Sequence, residues 1–165
     1  MRWPWYSEKE RAKFQHGEAQ RFDHTYPERY WPDRMDNCLN DWGADSLDGA
    51  GNLNDVAALL RRDPWTRQAF LPVWFPEDTG VQHGQRVPCT LGYHFVRNKT
   101  QLDINYFIRS CDLTRHFLND IYMTGRLLHW MVENVQNGEG LPYPGTLTMF
   151  ISNLHLFTAD SWRFQ

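Results

Sequence analysis

From Thr90 to Gln136 the chain reads as strand, turn, strand, helix, and that run leaves few folds open. Thr90–Val96 and Gln101–Ser110 are two strand-like stretches, joined by a turn at Arg97-Asn98-Lys99-Thr100. Phe117 to Gln136 follows as the clearest helix, with Ile121, Leu127, Leu128, Met131 and Val135 on its apolar face and Asn137-Gly138 as its stop. Upstream, Val56, Leu59 and Leu60 recur at helical spacing behind Asn54, the candidate cap, and Asp63-Pro64 ends that helix. Ala69–Phe75 is strand-like, with Pro72 implying an edge or a bulge. Gly140–Gly145 reads as a turn-rich loop and Thr146–Phe157 as a final strand. Ser7–Phe14 reads as a short helix capped by Ser7, and residues 43–52 and Pro76–Gln85 as loops. Consecutive strands forming a sheet under one long helix give a mixed α/β pattern, and one domain over residues 1–165 is its simplest organisation.

Composition bounds the function classes. The 165 residues suffice for a real core, and 41% are hydrophobic. Aromatic residues reach 15%, with eight Trp, which points to rings lining a pocket or a subunit interface. A formal net charge of −3 argues against a nucleic-acid-binding surface, while a few arginines can still hold one phosphate. The three cysteines, Cys38, Cys89 and Cys111, show no pairing pattern and suit free thiols in a reducing cytoplasm. The seven His residues show no ligand spacing, so no metal site is expected. The N-terminus lacks an apolar signal core and no apolar run has the length of a membrane span, so a soluble cytoplasmic chain is the expectation.

The chemistry-bearing residues fall in one ordered series. Val87-Pro88-Cys89-Thr90 sets a cysteine behind a proline, Arg109-Ser110-Cys111-Asp112 begins twenty residues after that cysteine, and Asp120 lies eleven beyond Arg109, next to Asn119. A nucleophile, an anion clamp and a polar reader are what covalent chemistry on a nucleotide needs. Taken singly, each has an ordinary explanation. Cys89 and Cys111 suit buried packing thiols, Arg109 an ion pair, Asp112 a turn cap, Asp120 a helix cap and His155 a core histidine.

Taken together, from about Leu53 to Phe157, the series resembles the thymidylate synthase family. Pro88-Cys89 matches its nucleophile motif. Arg109-Ser110-Cys111-Asp112 matches the motif that binds phosphate and, through the Asp, the folate pterin. Asp63-Pro64-Trp65-Thr66-Arg67-Gln68 resembles the segment that sends arginines to the partner subunit's phosphate, with Gln68 in place of the second arginine. Trp74 matches the tryptophan of the following strand. His155-Leu156-Phe157 matches a His-x-Tyr element that contacts the sugar, with Phe157 for the tyrosine. Tyr26 resembles a tyrosine near the catalytic thiol. Two departures favour the deoxycytidylate (dCMP) 5-hydroxymethylase branch: Thr90 replaces the usual His, and Asp120 stands where synthases carry Asn. One deletion in the preceding loop would place Asn119 there instead, and His116 makes that loop atypical.

The resemblance implies an α+β fold, a mixed sheet layered with helices, in a compact version shortened at both ends. It implies a homodimer with Arg67 in the partner's site, a pyrimidine nucleoside monophosphate as substrate and 5,10-methylenetetrahydrofolate as cofactor. Cys89 as a thiolate would attack C6 of the base, which turns C5 into a nucleophile toward the one-carbon unit. Asp120, protonated by burial, would accept from the cytosine amino group and donate to the ring nitrogen. Arg67, Arg109, Ser110, Asn119, His155 and Tyr26 would bind substrate, and Asp112 the folate. The family's catalytic glutamate has no equivalent at its usual spacing, with Glu8, Glu10 or Glu18 as candidate substitutes, and the usual closing tail is absent or replaced by Ser161–Gln165. A deoxyuridylate methylase or hydroxymethylase with Asn119 as reader, and a non-catalytic or repurposed nucleotide-binding homologue, stand as alternatives.

Overall fold

The computed structural model describes Tyr30, residues 52–74, Asp78, and residues 87–135 and 142–164. Tyr26, Cys38, the Ser7–Phe14 helix, the glutamates before Tyr26, residues 43–51, all of the 76–85 loop but Asp78, and the Asn137-Gly138 stop lie outside the described residues.

Helix α1 spans Leu53–Arg62. Its cap is Asn52, not the expected Asn54: Asn52 Oδ1 accepts from the N–H groups of Asn54 (2.8 Å) and Asp55 (3.1 Å), and the Asp55 carboxylate accepts from the Asn52 N–H. This reciprocal box satisfies donors that the first turn leaves open. Asp63 closes the helix as expected, and Leu53, Val56, Ala57 and Leu60 are its buried face.

Four strands form the main sheet in the order β1-β2-β3-β5: β1 Phe70–Pro72, β2 Thr90–Asn98, β3 Gln101–Ile108 and β5 Tyr143–Ile151. β1 is shorter than the expected 69–75 strand but is an edge, which suits Pro72, a residue without an N–H to give a central ladder. β2 and β3 pair antiparallel across a two-residue turn in which Lys99 has φ 55°, and Arg97 Nε–H donates to the Lys99 carbonyl at 2.7 Å. Gly92 is required where β1 meets β2, because a Cβ there would stand 2.6 Å from the Phe70 ring and 2.7 Å from the Leu71 carbonyl.

After β3 the chain forms the short β4 (Cys111–Asp112), then helix α2 (Phe117–Asn134), and returns to β5, parallel to β3. α2 packs on β3 and β5. Its buried residues are Thr124, Leu127, Leu128, Met131 and Val132, with Val135 buried just past its end. Ile121, expected on that face, is 36% exposed, because the buried stripe is rotated toward Thr124. Each fully buried Leu or Ile in this layer contributes about 1.5–3 kcal/mol.

The expected loop–strand boundary at Gly145/Thr146 is corrected. Tyr143–Gly145 already belongs to β5, and Gly145 is there because a Cβ would run into the Asp103 carboxylate, which accepts from the Thr146 N–H. The strand expected over Thr146–Phe157 is two strands in two sheets: β5 ends at Ile151, and β6 (Leu154–His155) pairs parallel with β4. A 3-10 helix over Thr158–Phe164 follows. Among the described residues the result is an α+β fold, a mixed sheet layered with two helices, as the family resemblance implied.

Side-chain alternation sorts the sheet into two faces. Tyr93, Phe95, Leu102, Ile104, Tyr106 and Ile108 point into the core. On the opposite face Phe70, Phe107 and Phe150 form a row, with ring centroids 6.2 Å apart for the first pair and 4.9 Å for the second, and Phe150 is 50% exposed.

Candidate functional site

Cys89 lies just before β2, where the ladder continues past its last bonded strand pair: the Cys89 carbonyl accepts from the Arg109 N–H at 2.9 Å. The Arg109 side chain turns back to the same segment. Its Nε donates to the Pro88 carbonyl (3.0 Å), its Nη2 to the Val87 carbonyl (3.2 Å), and its guanidinium sits 5.4 Å from the Trp74 ring centroid. Two charge-assisted bonds and a ring therefore fix the backbone that presents Cys89, which is half-buried. The residue after it is anchored from the core. Thr90 Oγ1 lies 2.8 Å from the Tyr106 hydroxyl, Tyr106 stacks on Tyr93 at 4.9 Å, and the Tyr93 hydroxyl lies 2.9 Å from that of Tyr30.

β4 and β6 bring the second half of the series together. Asp112 is in register with His155, and Ser110 Oγ lies 3.3 Å from His155 Nδ1. Asp112 Oδ1 accepts from the Thr114 N–H (2.9 Å), the Thr114 hydroxyl (2.8 Å) and the Arg115 N–H (3.1 Å), so it does cap the turn into α2. Burial alone would push this carboxyl up, but those bonds and the Arg115 charge outweigh it and hold it below the ordinary carboxylate value. Its buried Oδ2 makes no hydrogen bond and stands 3.6 Å from Arg115 Nε.

Asp120 is not the α2 cap, which is His116; it sits in the first turn, its N–H bonded to the His116 carbonyl. Its Oδ2 accepts from the Cys111 thiol at 3.5 Å. Desolvation raises the Asp120 pKa, and the Cys111 bond and the nearby His116 charge offset only part of that rise. Cys111 is pushed from 9.0 to about 12, first by burial and then by the Asp120 charge, so its thiol stays protonated. Asn119 is exposed, and its amide donates to the Arg115 carbonyl at 3.4 Å.

Cys89, Arg109, Ser110, Asp112, Asp120 and His155 thus gather where the β2 and β3 ends meet β4, β6 and the start of α2. Arg67 does not join them within this chain. It is exposed, and its carbonyl hydrogen-bonds His94 Nε2 (3.2 Å), whose ring neighbours Phe70 on the opposite face. Sequence reasoning missed Arg115, whose Nε and Nη2 both lie 2.8 Å from Asp160 Oδ2 and whose guanidinium stands 4.8 Å from the Phe157 ring centroid. The Asp112–Arg115 spacing was a usable local signal, while nothing local pointed to Asp160.

Among the described residues no three His, Cys, Asp or Glu side chains converge as a metal site, and no helix is long and apolar enough to cross a membrane. No curated protein matches the chain. A family model described as thymidylate synthase matches residues 18–162, nearly the whole sequence, and takes in every residue of the gathered site. The chain belongs to the thymidylate synthase family.

Proposed function

We propose that this protein is a deoxycytidylate 5-hydroxymethylase in which Cys89 is the nucleophile and Asp120 reads the base. Its family membership supports the general chemistry, folate-dependent one-carbon transfer to C5 of a pyrimidine nucleotide. The observation that carries the finer reading is the half-buried Asp120 carboxyl with its raised pKa, beside Cys111. A carboxyl that keeps its proton accepts from an exocyclic amino group and donates to a ring nitrogen, which fits cytosine. Uracil presents a carbonyl and an N–H at the same positions, and mismatch would leave buried groups unpaired. Asn119, the competing reader, is exposed and bonded back to the turn before its helix, which favours Asp120.

The thiolate of Cys89 attacks C6, and the electron pair of the C5–C6 double bond moves to C5 and the ring. Once C5 has taken up the one-carbon unit and lost its proton, and water has supplied the hydroxyl oxygen to that carbon, elimination of the thiolate restores the C5–C6 double bond. Asp112 fits methylenetetrahydrofolate, because its buried, unbonded Oδ2 is an acceptor for pterin N–H groups. When bound, that cofactor supplies the carbon that becomes attached to C5. Ser110 and His155 sit together as polar contacts for phosphate and sugar, with Arg109 behind them.

The assembly belongs to the same proposal. A second copy covers the Phe70–Phe107–Phe150 face, and Arg67, at the rim of that face beside His94, reaches the partner's phosphate. Calorimetry with deoxycytidylate and deoxyuridylate, followed by product mass with methylenetetrahydrofolate, tests the reading. Cytidylate preference and the gain of a hydroxymethyl group are expected. Uridylate preference returns the base reading to Asn119, and binding of neither removes the enzymatic reading. Arg67→Ala should weaken nucleotide binding, and normal binding by that variant would rule out the shared site.

A further inference from the structure

Cys111 is 2% exposed, lies in β4 and faces Asp120 across the start of α2, with Sγ 3.5 Å from Oδ2. Its other polar neighbour is the Asp112 carbonyl at 3.9 Å, a longer contact. We propose that Cys111 is a positioning residue for base recognition: its S–H donates to Asp120 Oδ2, reserves that oxygen as an acceptor, and leaves the carboxyl proton on Oδ1. The claim rests on the reading of Asp120 as the residue that meets the base.

The argument is one of donor and acceptor inventory. A protonated carboxyl carries its proton on either oxygen, and a reader that must donate at one position and accept at another needs that choice fixed. A thiol donates weakly but accepts more weakly still, so placing the carboxyl proton toward sulfur gains little. Placing it on Oδ1 keeps the S–H···Oδ2 bond and gives the base a defined donor beside a defined acceptor. Cys111 can hold this role across the physiological range because burial keeps its thiol protonated. His116, one turn before Asp120, is the other titratable group acting on the carboxyl, and it favours the ionised form, as the Cys111 bond also does.

The test uses the whole chain, with ¹³C-carboxyl NMR titration of Asp120 in wild type, Cys111→Ala and Cys111→Ser without nucleotide. Removing the donor should move the Asp120 pKa further up, and Cys111→Ser should return it to the wild-type value or below. Deoxycytidylate affinity, compared at a pH below the Asp120 pKa of every variant so that the carboxyl is protonated in each, should fall about three- to tenfold in Cys111→Ala, the effect of one lost hydrogen bond, and recover in Cys111→Ser, with deoxyuridylate affinity unchanged. If the alanine variant does not fold, Cys111→Val gives the same comparison with the volume filled. An Asp120 titration that Cys111 substitution leaves in place overturns the inference, as does an equal loss for both nucleotides. A shifted titration in a protein that binds no cytidylate upholds the Cys111–Asp120 link and removes the base-reading role instead.

Discussion

Arg109 Nε stands 3.0 Å from the Pro88 carbonyl, so the arginine that follows β3 holds the residue that precedes the candidate nucleophile. Lysine at 109 would keep the charge but lose the planar fork that serves Val87 and Pro88 together. Arg109→Lys should lower stability by about 2–3 kcal/mol, the loss of charged hydrogen bonds, measured by urea unfolding. The same variant should alkylate faster at Cys89, because the segment presenting it is no longer pinned. An unchanged urea midpoint would mean that these contacts are dispensable.

The two described thiols should behave as opposites. Cys111, with a thiol pushed to about 12, should stay unlabelled by iodoacetamide at pH 8 in the native protein, while half-buried Cys89 is modified. Peptide mass mapping reads both sites at once. Cys89→Ala should reduce product formation by on the order of 10³-fold or more while nucleotide still binds.

Asp120 gives the recognition step a pH direction. Its folded pKa is raised, so the protonated form that suits cytosine is populated below that value and lost as pH rises through it. Deoxycytidylate affinity should therefore fall with rising pH, and deoxyuridylate affinity should not follow it. Asp120→Asn should remove that dependence and favour uridylate, by on the order of 10²-fold or more. Titration calorimetry across pH checks both statements.

Asp112 has the opposite sign. Its folded pKa is depressed, so its contribution to stability is present above the ordinary value of 3.8 and is lost as pH falls below it. The difference in unfolding free energy between wild type and Asp112→Ala should therefore narrow on acidification. A difference that stays constant from neutral pH to pH 3 would contradict the hydrogen-bonding account of this carboxylate.

How much of this was legible in the sequence depended on distance along the chain. The β2–β3 hairpin and α2 follow from periodicity, and Pro72 marked an edge or a bulge, because a missing N–H cannot serve a regular central ladder. Asn52 was as readable as Asn54, since Asp55 stands three residues after it, the spacing of a reciprocal cap. The split of β5 from β6 was not readable: an alternating run passes straight through Ser152-Asn153, and only pairing of Asp112 with His155 assigns its two halves to different sheets. The site shows the same limit. Sequence placed the cation Arg109 near a nucleotide phosphate, but not the two carbonyls already using its fork. It marked Cys111 as packing, although the partner that gives its thiol a role lies nine residues away on the next helix.

The two halves of the site also differ in when they can come into being on a ribosome. Cys89 and Arg109 belong to a hairpin with a two-residue turn, which can close soon after both strands emerge. Ser110 and His155 are 45 residues apart and meet only once α2 and β5 have been synthesised. During translation the thiol-bearing end of the hairpin can therefore exist for a time without its histidine, open to electrophiles and to chaperones.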